Sequence, residues 1–416
     1  MTILTQQLLP KFSDAFYEKA RHRHAGLIAR IEILQCPEQA ARYWREMTAA
    51  AATASPYQSH DWVRLWCNHV SGPAGQRACI VIGFDADDTA QFLWPLLVKE
   101  VGVGKVATSF GEKHATLNAM PWRPEAASAV TEVEMRAILS MIARQIPDLD
   151  LLILQNQPES WNGTVNPFLQ LPHQKAAEDN FLLRLDIAGP EGTSSLPAST
   201  GKRLRHLERK LARLDGYRYF KAENAGDVER LLSVFFAQKA EKLADHGLED
   251  VFARPGIQNF IRAACLNGLS EGRPLIELHA LEGEDEILAL ISGLHDGSRF
   301  TCAFTSHSTG KHARYSPSLV LIRNLIADCA GRGLQYFDLG PGAAPFKSTF
   351  CKEKEPIFDS VLPLSSRGRL LAPALRALFA VKARIKRNPQ LLRLVSSGRA
   401  FLRKPRRRKQ DHILET

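Results

Sequence analysis

Between Leu275 and Leu339 the chain carries a pattern that few folds can satisfy. Three short apolar runs, Leu275 to Leu281, Ile287 to Leu294 and Arg299 to Ser306, follow one another with only turn residues between them. Runs of this length, bounded by Gly and Asp, read as strands. Gly283-Glu284-Asp285 and Asp296-Gly297 supply the connections, and Asp-Gly is a strong hairpin signal because both residues tolerate positive φ. A helix comes next: Ser316 reads as its N-cap and Pro317 as its first residue, where a missing N–H costs nothing. Leu319, Ile322, Leu325 and Ile326 recur at helical spacing, and Gly331 and Gly333 read as terminators. Leu334 to Leu339 is a further strand, carrying Asp338 and leading into a Gly340-Pro341-Gly342 turn ahead of Phe346 and Lys347. An antiparallel meander, a helix and a returning strand make an α+β core whose last strand can lie parallel to its neighbour.

The loop ahead of that helix holds Gly310, Lys311, His312 and Arg314, followed by Tyr315, Ser316 and Ser318. Free N–H groups and the positive end of a helix dipole seat an anion, and neighbouring cations deepen the seat. The competing reading is a solvated basic loop. Upstream, S-T-G-K-R-L-R-H-L-E-R-K-L-A-R-L sets Leu204, Leu207, Leu211 and Leu214 in one stripe, with Lys202, Arg203 and further cations on the rest of the surface. That surface is either a solvated face or an electropositive wall for a phosphate or an acidic substrate.

Seven cysteines without C-x-x-C spacing indicate neither a zinc site nor a disulfide framework, so a reducing compartment is expected. No metal is expected. The N-terminus lacks the apolar core of a signal peptide, and no run approaches the roughly 20 apolar residues of a spanning helix; a cytoplasmic protein is expected. The net charge of +10 is uneven: residues 367–416 hold 15 Lys and Arg against Asp411 and Glu415, which is +13 and leaves −3 for residues 1–365. A specific nucleic-acid partner is therefore not expected of the body.

In chain order, residues 1–30 read as an N-terminal arm and residues 31–188 as an α/β lobe. Its elements are a strand at 31–34, a helix at 38–47, and a helix opened by Ser55 or Ser59 with Trp62, Leu65, Trp66 and Val70 on one face. Strands at 78–84 and 92–98, a helix at 131–146, and strands at 151–154 and 181–187 follow. The turn-rich Gly189 to Ser195 marks a boundary, and 195–365 forms the second lobe. In it Tyr217 to Lys221 alternates as a strand, Asp227 reads as a helix cap, and a helix spans 255–268. Residues 366–416 are a basic amphipathic tail.

The second half resembles the acetyltransferase domain related to FemAB peptidyltransferases, a branch of the GNAT superfamily found with exopolysaccharide and cellulose operons. The residues that carry the resemblance are S-T-G-K-R-L-R at 199–205, A-D-H-G at 244–247, A-R-Y-S-P-S at 313–318, and F-D-L-G with a downstream F-K at 337–347. Y-Q-S-H-D-W at 57–62 is similar to the start of the companion N-terminal domain. The resemblance implies two GNAT-like lobes, each a mixed sheet flanked by helices. It also implies an N-acyltransferase that joins an acyl donor, acetyl-CoA or another acyl-CoA, to an amine acceptor of the cell envelope or an exopolysaccharide precursor. Asp338 and Lys347 are the implied catalytic pair, with Thr305, Gly310, Lys311, Arg314, Tyr315, Ser316 and Ser318 at the donor and Lys202 and Arg203 at the substrate. A backbone N–H on the strand through Phe304 and Thr305 is the implied oxyanion donor. The chain departs from the family at Ser318, where glycine is usual, at Phe346, where tyrosine is usual, and in lacking an Arg/Gln-x-x-Gly-x-Gly/Ala signature between 307 and 320.

Asp338 has two readings: a carboxylate that orients or deprotonates the amine, or a local cap on backbone N–H groups. A FemAB-type aminoacyl-tRNA transferase, a non-catalytic assembly factor and a small-molecule-binding module are the alternatives to the acyltransferase. In the tail, Leu371, Leu375, Leu378, Phe379 and Ile385 stand among Arg376, Lys382, Arg384 and Lys386, with a second basic cluster at 403–409. The pattern predicts contact with an anionic membrane, through a helix that Pro373, Pro389 and Pro405 break into pieces.

Overall fold

The computed structural model describes residues 26–102, 104–186, 196–342, 344, 346–351, 353–388 and 390–391. The break at 189–195, most of the arm and the basic cluster at 403–409 lie outside the described residues.

The first part of the chain supplies strands β1 (Arg30–Leu34), β2 (Arg77–Phe84), β3 (Ala90–Val101), β4 (Gly104–Ser109), β5 (Leu151–Pro158) and β6 (His173–Lys175), with helices α1 (Pro37–Ala49), α2 (His60–Trp66) and α3 (Glu132–Gln145). Local chemistry explains their starts. Ser59 Oγ accepts the Trp62 N–H, and Thr131 and Glu134 form a reciprocal capping box. The remainder supplies β7 (Asn180–Arg184), α4 (Ala198–Leu211), β8 (Arg218–Lys221), α5 (Ala225–Asp245), α6 (Ile257–Leu266), β9 (Glu277–Gly283), β10 (Glu286–His295), β11 (Arg299–His307), α7 (Pro317–Gly331), β12 (Tyr336–Pro341), β13 (Lys354–Glu355), β14 (Ile357–Pro363) and α8 (Ser366–Arg387). The cap of α5 is Asn224, not Asp227: Asn224 Oδ1 accepts the Asp227 N–H at 2.9 Å, and Asp227 sits in the first turn, where a carboxylate complements the dipole.

Two seven-stranded mixed sheets result, in the orders β1-β2-β3-β4-β5-β14-β6 and β8-β9-β10-β11-β12-β7-β13. The expected pair of lobes, each a mixed sheet with helices packed on it, is thus present. The lobes are not the contiguous segments 31–188 and 195–365. β7 precedes the Gly-rich break yet pairs antiparallel with β12 in the second sheet, with Leu183 opposite Phe337. β14 pairs antiparallel with β5 in the first sheet, with Val361 opposite Ile153. Each lobe thus carries a strand from the other's stretch of sequence, because periodicity marks a strand without saying which open edge it fills.

A shared core joins the lobes. Trp62 and Trp66 of α2 meet Phe260 of α6 at 4.8 and 5.0 Å between ring centroids, each near edge-to-face. Such pairs contribute roughly 0.5–1.5 kcal/mol beyond their buried area. Phe235, Phe252 and Phe304 continue the same cluster. At its rim, Arg64 Nη2 donates to Asn267 Oδ1 at 2.9 Å, and Asn267 Nδ2 donates to Asp61 at 3.1 Å.

The tail begins as one helix. α8 runs through Pro373 without a break; Pro373 is exposed, so the carbonyl left without an N–H partner stands on the solvent side. Ala372, Leu371, Leu375 and Phe379 pack on Val106, Leu151 and Val361 of the first sheet. Arg376 Nη2 donates to Val361 O at 2.7 Å, and Arg387 and Lys386 pair with Asp179 and Glu178. The expected apolar face therefore largely faces the body. Among the described residues, no helix is long and apolar enough to cross a membrane. Gly368 sets the closeness of this docking, since a Cβ there would lie 1.9 Å from the Asp150 carbonyl oxygen. Gly368→Ala is expected to lift the start of α8 and cost about 2 kcal/mol, the scale of core overpacking. Thermal unfolding checks this, and an unchanged melting temperature counts against the docking.

Candidate active site

In the second sheet, β11 and β12 run parallel and pair only over Arg299–Thr301 and Tyr336–Asp338. Beyond that they part: β12 turns away at Gly340, whose φ of 76° favours glycine, and its register with β7 breaks between Asp338 and Pro341. A bulge bends β11 on its other side. There the Phe304 N–H donates to Ser292 Oγ at 3.0 Å, and the same hydroxyl donates to Phe304 O at 3.1 Å. The first sheet repeats the arrangement, with β4 and β5 parallel over Val106–Thr108 and Leu151–Ile153. The far ends of both parallel pairs open on one cavity of about 750 Å³ between the lobes, with Thr108 and Asn156 on one side and Thr305 and Gly340 on the other.

Asp338 and Lys347 clamp the Gly340 turn. Asp338 Oδ1 accepts the Gly340 N–H at 2.7 Å, while Lys347 Nζ donates to Gly340 O and Pro341 O, each at 2.9 Å. Asp338 is fully buried, and its Oδ2 lies 3.5 Å from Arg299 Nη1. Burial raises its pKa to about 6 against the pull of that guanidinium. Arg299 in turn makes two 3.0 Å bonds to Glu355 and lies 4.0 Å over the Trp161 ring. Asp338 Oδ1 holds the Gly340 N–H, as its local-cap reading requires, and its side chain lies behind the cavity wall. Lys347 is on the wall, and burial lowers its pKa.

Of the residues expected at the donor, Thr305 alone reaches the cavity wall. Its carbonyl accepts Lys239 Nζ at 3.2 Å. On the strand through Phe304 and Thr305, where a backbone N–H was expected to meet an oxyanion, the Phe304 N–H is taken by Ser292. Gly310 through Ser316 form the outer loop ahead of α7, in whose first turn Ser318 lies, and much of the loop is engaged. The Gly310 N–H donates to Ser308 Oγ at 3.0 Å, Lys311 and His312 pair with Glu284, and the Arg314 guanidinium lies 4.9 Å over the Tyr315 ring. Ser316 sits at the N-cap of α7 in left-handed geometry, φ 49°, and its hydroxyl caps nothing. The Ala313–Tyr315 turn packs against α4, on whose exposed side Lys202 and Arg203 lie. This basic surface is separate from the cavity wall.

Several charged wall residues were not assigned to the site from the sequence, three of them central to its chemistry. Asp359 on β14 is buried; it accepts the Asn156 N–H at 2.9 Å, and burial raises its pKa although Lys382 of α8 stands near. Its signal was present, since Phe358-Asp359 in an apolar run repeats Phe337-Asp338. The other two are Lys239 of α5 and Lys382 itself. The wall carries six lysines against Glu112, Glu178 and Asp359. Glu112 is matched by Lys99 at 2.8 Å and Glu178 by Lys386 at 2.9 Å, which leaves the cavity cationic.

Residues 198–348, from the start of α4 to just past Lys347, match the acetyltransferase (GNAT) domain family. The fold is similar to that of FemX, with a TM-score of 0.54 at 9% identity over 82% of this chain and 98% of that one. The C-terminal domain of a putative lysylphosphatidylglycerol synthetase from Agrobacterium fabrum aligns with a TM-score of 0.47 and 12% identity, over 82% of this chain and 96% of that one. A tandem GNAT protein from the clavulanic acid biosynthesis pathway aligns at 0.44 and 10%, over 81% and 99%. No curated protein sequence matches significantly.

Proposed function

We propose that this chain transfers an acyl group from an activated donor to an amine, and that the reacting atoms meet in the cavity between the lobes. The observation that carries this reading is the gap between β11 and β12, inside the GNAT-matching segment, opening on a cavity whose wall holds Lys347 and Asp359. The amine nitrogen attacks the acyl carbonyl, the new C–N bond forms as the C–S bond of a thioester breaks, and the thiolate leaves. Asp359 takes the proton lost by the amine, its raised pKa suiting a group that must accept one. Lys347, held by two carbonyls, stabilises the oxyanion.

The donor in this reading is an acyl-CoA. Its acyl arm passes Thr305, and its phosphates lie outside, over the start of α7 and the Lys202–Arg203 face of α4. The acceptor class, an amine of an envelope or exopolysaccharide precursor, comes from the family resemblance. An aminoacyl-tRNA donor is the second reading, motivated by the FemX-like fold; the net charge of −3 over residues 1–365 opposes it. Thiol release from acetyl-CoA in the presence of glucosamine tests the activity, and no release above the uncatalysed rate with any acyl-CoA or amine refutes it. The donor site has its own test. Lys311→Glu with Arg314→Glu is expected to weaken coenzyme A binding by roughly tenfold or more in calorimetry, through repulsion of the phosphates. Equal affinity places the phosphates elsewhere.

A further inference from the structure

The face of α8 that looks away from the body is also apolar. Leu370, Leu378 and Val381 are exposed at 81%, 59% and 55%, among the most exposed large apolar residues of the structure. At 100° per residue they fall within an arc of about 80°, with the exposed Ala374 between them and the exposed Ala377 and Pro373 beside it. The exposed Arg369 and Arg384 stand to one side of the arc, whereas Lys382, Lys386 and Arg387 are turned toward Asp359, Glu178 and Asp179 of the body. Seven cations and no carboxylate side chain occur in Ser366–Arg387, and none of the residues between Asp359 and Asp411 is acidic.

We infer that the outer arc of α8 seats this protein on an anionic lipid surface, with Leu370, Leu378 and Val381 in the headgroup boundary and the flanking cations on the lipid charges. The arrangement is that of an interfacial helix, an exposed apolar stripe edged by Arg369 and Arg384, with its opposite face already packed on the protein. The helix carries no acidic side chain, so Arg369 and Arg384 meet anionic lipid without a carboxylate beside them on the helix. It also corrects the sequence reading in detail: of the expected apolar set, Leu371, Leu375 and Phe379 hold the helix to the body, while Leu378 faces outward together with Leu370 and Val381. The same helix contributes Phe379, Lys382 and Lys386 to the cavity wall, so seating it on a bilayer brings that wall to headgroup level. An acceptor amine anchored in the bilayer then reaches the cavity; this last step rests on the proposed acyltransferase reading, and the lipid contact does not.

Co-sedimentation of the full chain with phosphatidylglycerol–phosphatidylcholine vesicles, against pure phosphatidylcholine vesicles, tests the contact without any assay of transfer. The chain is expected to pellet with the anionic vesicles only, and less as salt rises. Because the three side chains are exposed, Leu370→Ser/Leu378→Ser/Val381→Ser is expected to unfold at the wild-type temperature and to lose roughly tenfold in vesicle affinity. Arg369→Glu/Arg384→Glu, also at exposed positions, is a second variant with the same expectation. Vesicle binding unchanged in both variants, equal binding to neutral vesicles, or binding of RNA without binding of vesicles overturns the inference.

Discussion

Replacing Lys347 with methionine is expected to lower kcat/KM by about a hundredfold, the usual loss when one preorganised donor to an oxyanion is removed. The loss should fall mainly on kcat, because a charge that meets the oxyanion acts on the transition state more than on the bound donor. Lys347 has a second duty that the sequence did not show. Its Nζ holds the carbonyls of Gly340 and Pro341, which fix the mouth of the β11–β12 gap, so the variant should also melt a few degrees lower. Lys347→Arg separates the two, since it keeps the charge and alters the reach. Steady-state kinetics with thermal unfolding of both variants makes the check. A methionine variant with wild-type kcat takes Lys347 out of the chemistry and leaves it the turn alone.

Relative to Asp338→Asn, the wild type should lose stability as pH rises from about 4 to 6; His114, which burial holds at about 4, acts in the opposite direction over the same interval in both proteins. In the unfolded chain the Asp338 carboxyl titrates near 3.9; in the folded protein burial holds it at about 6, opposed by Arg299. Below pH ~4 it is protonated in both states and costs nothing. Between those values the unfolded chain releases a proton that the folded protein retains, so folding loses about 3 kcal/mol by pH ~6 and nothing more above it. Asp359, also raised by burial, acts in the same direction, whereas Glu277, where burial is outweighed by His279 and Arg332, is held at about 2 and acts oppositely at lower pH. Asp338→Asn isolates the effect, because asparagine Oδ1 can still accept the Gly340 N–H and Arg299 keeps Glu355. Urea unfolding of both proteins between pH 4 and 8 is expected to show wild type losing stability relative to the variant across the interval. Parallel curves would show that Asp338 does not carry the raised pKa.

Where the deciding interactions are local, the sequence was legible. Asp296-Gly297 makes its hairpin because Asp296 Oδ1 accepts the Ser298 and Arg299 N–H groups at 2.9 and 2.8 Å, while Gly297 takes φ 90°. Leu204, Leu211 and the periodic residues of α7 are buried together, as their spacing required. The site was only half legible. Phe337-Asp338-Leu339 stood out because it precedes a glycine turn, while Asp359, in the same kind of apolar run, had no turn to draw notice. The geometry assigns Asp338 to the inside of the turn and Asp359 to the cavity wall.

Short-range pattern was enough to determine the order of strands and helices from Leu275 to Leu339, the strand that returns after α7, and a terminal segment both apolar and cationic. Neighbours within about four residues decide those features, through period, capping and turn geometry. Tertiary structure alone decided that β7 and β14 are exchanged between the sheets, that Glu284 engages Lys311 and His312, and that α8 turns Leu371 inward and Leu378 outward. Each of these depends on partners far apart in the chain; the bond from the Asn156 N–H to Asp359 spans 203 residues. Local periodicity records which side of an element is apolar, and only packing records what that side meets.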